Sequence, residues 1–247
     1  MPIIEAIILY FVLFFPSVFS SVEEGSVIAF SINQELSRVF IYNTPALALV
    51  WFLLLRKKEA APVKPFFPPA APRDSATLNP ASLNPAASFL FNAGNILVTF
   101  TLALLGLLLI NIGASMASDL AERAMTGARF EVAIDFQTPD TAMGWVVLCL
   151  SCLSAGYLEE SFFRFYLSDR LKKFGFYPAM LMSSVSFAYC HMYEGVFGVA
   201  NALLAGLFLF FIFNKRKRGD GTQTLCAVAF AHGAYNALVY AAIALNL

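Results

Sequence analysis

The sequence predicts an all-α membrane protein, a polytopic bundle of about seven transmembrane helices with its N-terminus inside and its C-terminus outside. Three observations predict it. Apolar residues make up 59% of the chain and charged residues 13%, against about 45–50% and about 25% in soluble domains. Apolar runs of about 20 residues, long enough to cross a bilayer, recur along the chain. Basic clusters follow every second run, as the positive-inside rule requires of the cytoplasmic side.

The first run covers 3–22. It opens on Met1-Pro2-Ile3-Ile4-Glu5, without the positive region that starts a signal peptide, so a retained helix is expected. The second run, 38–55, ends at Arg56-Lys57-Lys58. Residues 59–88 are rich in Pro and Ala, including Pro62, Pro65, Pro68, Pro69, Pro72, Pro80 and Pro85. Such a segment is expected to be an extended cytoplasmic linker. The third run is 89–114. The fourth, 142–166, is followed by Arg170, Lys172 and Lys173. The fifth and sixth, 178–194 and 196–214, nearly touch, and the sixth is followed by Lys215-Arg216-Lys217-Arg218. The seventh is 223–246. Loops on the opposite side are acidic or mixed: Glu23, Glu24 and Glu35 in one, and Asp119, Glu122, Arg123, Arg129, Glu131, Asp135 and Asp140 in another. The chain thus divides into two accessory helices (1–58), the linker (59–88) and a five-helix membrane core (89–247).

Charge and cysteine content exclude other classes. Sixteen basic and sixteen acidic residues cancel, so nothing draws the chain to nucleic acid. Cys149, Cys152, Cys190 and Cys226 all fall in apolar runs, which is no extracellular disulfide framework. Cys149-x-x-Cys152 has metal or redox spacing but no second pair, and is read as two small core residues.

The chemistry-bearing residues lie inside the apolar runs, where ionisable groups are costly and face a bundle interior or a watery cavity. The fourth run carries Glu159-Glu160 and Arg164. Residues four apart share a helix face, so Arg164 pairs with Glu160 and fixes it. Glu159, rotated by about 100°, is expected to point elsewhere and be free for other work. The fifth run carries Phe187 and His191 on one face, after Ser183, Ser184 and Ser186, which permit close helix packing. The seventh carries His232 and Asn236 on one face, with Ala231 and Gly233 beside the histidine. A lone buried histidine is most often a hydrogen-bonded core residue, but three helices here each bring a catalytic residue type. Two chemistries fit. In one, Glu159 is general base on a water, and His191, His232 and Asn236 position the substrate and stabilise an oxyanion. In the other, Glu159, His191 and His232 hold a divalent metal, zinc above all, with a water in the open position. A zincin-type His-Glu-x-x-His helix is absent from the sequence.

Glu159-Glu160-x-x-x-Arg164, Phe187-x-x-x-His191 and His232-x-x-x-Asn236, in that order, resemble the CPBP family. These are the CAAX protease and bacteriocin-processing intramembrane endopeptidases, also called Abi. The resemblance covers about 142–240. It implies an all-α bundle around a conical cavity and peptide-bond hydrolysis within the membrane or at its edge. It also implies that Glu159 activates water with help from His191, that His232 and Asn236 stabilise the oxyanion, and that Glu160 and Arg164 support the site. The family carries both a metalloprotease label and a metal-independent glutamate mechanism. Its CAAX branch trims prenylated C-termini, and bacterial branches process other peptides. Eukaryotic-type CAAX enzymes have eight spans against the seven counted here, and the first 88 residues lie outside the resemblance.

The expected substrate is therefore a membrane-embedded, lipidated or hydrophobic peptide, in a prokaryotic cytoplasmic membrane. Phe162, Phe163, Phe187, Tyr189 and Tyr235 are candidates for an apolar groove or for bundle core. A transporter or proton relay is the alternative, because intramembrane Glu and His also mark ion pathways, although no inverted repeat is visible. A catalytically silent scaffold is the third reading. One tension is internal. At about 1.5 Å per residue, Glu159 sits about 12 Å from a helix end at 167, and His191 about 20 Å from one at 178. Residues of one site must converge.

Overall fold

The computed structural model describes residues 2–19, 27–58, 85–124, 135–217 and 219–245. The positions at 59–84, including most of the expected linker, and Glu23, Glu24, Arg129, Glu131 and Arg218 lie outside the described residues. The described chain is helical almost throughout. Helix α1 is Pro2–Phe19. Helices α2 (Ile32–Ser37) and α3 (Thr44–Lys58) are joined without a break by a π-helical turn, Arg38–Asn43. Helix α4 is Pro85–Ala124. Helix α5 (Ala142–Glu160) runs on through a second π-helix, Ser161–Leu167, into α6 (Ser168–Leu171). Helices α7 (Phe176–Tyr189), α8 (Gly195–Arg216) and α9 (Thr222–Ala244) complete the bundle. A two-residue parallel pair, Val27–Ile28 with Asp135–Phe136, accompanies them.

The all-α bundle follows the expectation. Among the described residues, five helical stretches are long and apolar enough to cross a membrane: Ile32–Arg56, Phe91–Ala124, Ala142–Phe174, Met192–Arg216 and Thr222–Ala244. Their outward faces carry exposed Leu97, Leu105, Leu109, Ile112, Val146 and Leu150, while Thr99, Glu160, Arg164, Ser183 and Ser184 are fully buried. Apolar residues outside and polar groups inside is the arrangement a lipid solvent selects.

Several boundaries need correction. The fourth run does not end at 166, because the helix continues through Leu171 and a 3-10 turn, Lys172–Phe174. Arg170, read as a basic marker of the helix end, is buried and pairs with Glu5 at 2.9 Å and Asp169 at 3.2 Å. Counted from 174 rather than 167, Glu159 lies about 22 Å along the helical stretch. Glu35 is not a loop residue. It sits in α2 and accepts hydrogen bonds from Ser151 and, at 3.1 Å, from Arg38. Asp119, Glu122 and Arg123 belong to the last turns of α4, which is 40 residues long. The fifth run is the shortest of the core: α7 has 14 residues and stops before His191.

Helix α5 begins where Thr141, in extended backbone, accepts a hydrogen bond from the Gly144 amide at 3.1 Å, an N-cap. It packs along α9, while α4 packs on α8 and α9, and α7 on α8. The α5–α9 approach is set by two glycines that face each other. A Cβ on Gly156 would lie 2.8 Å from the Gly233 nitrogen, and one on Gly233 would lie 2.7 Å from the Leu153 Cα. Those obstacles are backbone, which cannot step aside. Gly156→Ala and Gly233→Ala should each cost about 1–3 kcal/mol by overpacking, read as a lower melting temperature in detergent. Because His232 precedes Gly233, this contact also sets how near His232 comes to the Glu159–Glu160 helix.

All seven residues of the π-helix Ser161–Leu167 are buried. Phe162 and Phe163 pack against each other at 5.0 Å, and Phe14 of α1 touches both, at 5.3 and 5.0 Å. Trp51 of α3 packs on Phe165 at 5.7 Å. The segment following the two glutamates is therefore enclosed by the first two runs as well as by the core. Phe162, Phe163 and Phe187 are core residues, whereas Tyr189 is exposed and Tyr235 half-buried.

Candidate active site

Arg164 Nε stands 3.0 Å from Glu160 Oε2, and both side chains are fully buried. This is the i, i+4 pair expected from the sequence. The guanidinium also lies over the Phe187 ring at 4.7 Å and the Phe163 ring at 5.8 Å, a cation–π contact that helps hold a charge away from water.

Glu160 turns its other oxygen to His232, with Oε1 3.0 Å from Nδ1. In this hydrogen bond the ring nitrogen is assigned as donor to the carboxylate oxygen, which fixes the imidazole orientation. The opposite ring edge faces Glu159: Nε2 is 3.7 Å from Oε2. Although Glu159 is turned from Glu160 around the helix, it reaches the same imidazole. The two adjacent carboxylates, about 100° apart around the helix, reach the two edges of one imidazole. Glu159 keeps 21% of its side-chain surface exposed, while Glu160 has none. Glu159 Oε2 is buried and, like Glu160 Oε2, has no hydrogen-bond partner among the described residues. One glutamate is thus locked and the other is open.

His191 lies in the turn after α7 rather than on the helix. Its amide bonds to the Ala188 carbonyl at 2.9 Å, and its Nδ1 donates to the Phe187 carbonyl at 2.9 Å. That bond leaves Nε2 as the acceptor nitrogen. The ring stacks on Tyr193 at 6.2 Å and touches Phe187 at 4.7 Å, and Phe187 also touches His232 at 5.8 Å. Phe187 thus contacts Arg164, His191 and His232, which makes it the hub of the site. Asn236 is half-buried, one turn beyond His232 on α9. Among the described residues no hydrogen bond joins it to the glutamates or histidines.

Glu159, His191 and His232 were the candidate zinc ligands. No three His, Cys, Asp or Glu among the described residues stand together as a cation site. With Nδ1 of His232 held by Glu160, its Nε2, which faces Glu159, is the nitrogen a metal would use.

One contact reaches this site from the first run, which carries none of the motifs. The Tyr10 hydroxyl donates to the Ser186 carbonyl at 2.9 Å and accepts from the Cys190 thiol at 3.3 Å. No spacing pattern could signal a pair 180 positions apart. The available signs were two polar groups, Glu5 and Tyr10, in the otherwise apolar stretch 3–15.

No match emerges among the curated proteins, and none among the solved structures. Residues 141–238 match the family described as type II CAAX prenyl endopeptidase Rce1-like. The matched stretch contains Glu159, Glu160, Arg164, Phe187, His191, His232 and Asn236, and coincides with the stretch that carries the resemblance. Over residues 141–238 the chain is therefore similar to the type II CAAX prenyl endopeptidase Rce1-like family.

Proposed function

We propose that this protein hydrolyses a peptide bond near the C-terminus of a prenylated or otherwise hydrophobic substrate, using a water activated by Glu159. The observation that carries the reading is the buried Arg164–Glu160–His232 chain ending at the open carboxylate of Glu159. In it a fixed carboxylate orients a histidine at the place where negative charge develops, beside the carboxylate that takes the water's proton.

In this reading Glu159 removes a proton from the water as its oxygen attacks the carbonyl carbon. His191 accepts the second water hydrogen at Nε2 and holds the water in line. The oxyanion that forms is met by His232, in its protonated form, from Nε2, and by the Asn236 amide. The C–N bond then breaks, and the proton held by Glu159 passes to the leaving amine. The 3.7 Å gap between His232 and Glu159 is a resting geometry that tightens when substrate arrives. Phe187 excludes water from the pair behind it.

The prenylated substrate class rests on the family description. We place the protein in a prokaryotic cytoplasmic membrane, with seven crossings, the N-terminus inside and the linker on the cytoplasmic side. The basic clusters after alternate helices support that orientation.

A farnesylated peptide ending in Cys-aliphatic-aliphatic-X tests the reading with purified protein in detergent. Cleavage should release the last three residues and should persist in EDTA or phenanthroline. Loss of cleavage that added zinc restores would replace the water-and-glutamate route with the metal one. Proton flux across vesicles without any cleaved product would favour the relay reading.

A further inference from the structure

Helix α1 lies outside the family-matched stretch, yet it completes the turn that carries His191. Helix α7 ends at Tyr189, and a helix end leaves carbonyls without amide partners. In a membrane such groups must be satisfied internally. The Cys190 amide bonds to the Phe187 carbonyl at 3.2 Å, and the His191 amide to the Ala188 carbonyl at 2.9 Å. The Ser186 carbonyl takes the Tyr10 hydroxyl at 2.9 Å and the Cys190 thiol at 3.4 Å. The same hydroxyl accepts from the Cys190 thiol at 3.3 Å, and Cys190 is the residue before His191.

The remainder of α1 is fixed where this contact needs it. Tyr10 packs on Phe162 and Phe163, both at 6.2 Å. Glu5, one and a half turns earlier, accepts from Tyr166 at 2.6 Å and from Arg170 at 2.9 Å. Both partners follow Glu159 and Glu160 on the same helical stretch, so α1 is clamped to the glutamate helix at one point and to the histidine turn at another.

We propose that Tyr10 is a positioning residue for His191, capping the end of α7 from another helix and holding the imidazole in register with Glu159. This inference rests on the proposed function for its kinetic consequence, but not for its structural one.

The test uses full-length protein and the substitution Tyr10→Phe, which keeps the ring and removes the hydroxyl. With the farnesylated peptide, kcat should fall about ten- to a hundredfold, the cost of misplacing a reacting group by about an ångström, with KM little changed. In a His191→Ala background the same substitution should have no further effect on kcat, since two residues acting through one group are not additive. The chain has two histidines, so 15N-histidine NMR of protein without a polyhistidine tag reads each ring separately. Tyr10→Phe should shift the His191 signals and leave those of His232 in place. Unmoved His191 signals overturn the proposal, and so does a kcat loss that multiplies in the His191→Ala background. If wild type cleaves nothing while His191 still shifts, the proposed function fails and the positioning role stands.

Discussion

Glu159→Gln should lower peptide cleavage by about 10²- to 10⁴-fold, the range for removing a general base, while the protein still folds. The amide keeps the size of the side chain but cannot take a proton from water. The fold is indifferent to the change because Glu159 is the partly exposed glutamate, and its Oε2 has no hydrogen-bond partner to lose among the described residues. Its nearest polar neighbour, His232, stays anchored at Nδ1 by Glu160. Initial rates with the farnesylated peptide, beside a size-exclusion profile and melting curve matching wild type, check both halves. A variant retaining a tenth or more of the activity would remove Glu159 from its role.

Arg164→Leu should act through stability instead. Glu160 would remain fully buried with its cation gone, and breaking a buried pair by removing one partner costs about 3–5 kcal/mol. The guanidinium also leaves the face of Phe187, the ring that touches both histidines. The expected result is little folded protein in membranes and a melting temperature lowered well beyond that of Glu159→Gln. Adding Glu160→Gln should recover part of that stability, because the uncompensated charge is gone. It should not recover cleavage, because His232 then loses the carboxylate that orients it. Full stability in Arg164→Leu alone would mean that the pair at 3.0 Å does not hold the site.

The two glutamates show what the sequence can and cannot convey. Helical spacing places Arg164 over Glu160, and the structure has that ion pair. Spacing also sends Glu159 in another direction, which it takes, yet a long side chain on each of two adjacent positions reaches round to the same imidazole. Rotamers and the neighbouring helix decide that, and neither is written in a local pattern. A buried arginine produced the largest boundary error. Arg170 reads as a charge beyond a helix end, when it is neutralised by Glu5, 165 positions away. The contact of Tyr10 with the histidine turn likewise arises between helices distant in sequence. Length and hydropathy made the bundle legible because a lipid solvent imposes them on each helix separately.

The central claim is that this membrane protein cuts peptides and that Glu159 does the cutting. The most direct measurement compares membranes of the natural host carrying wild type or Glu159→Gln at matched levels, by mass spectrometry of peptide and protein termini. New C-termini present only with wild type, and the short peptides released from them, are the predicted result, and their sequences would define the cleavage site. Identical termini in the two samples, with both proteins folded, would contradict it.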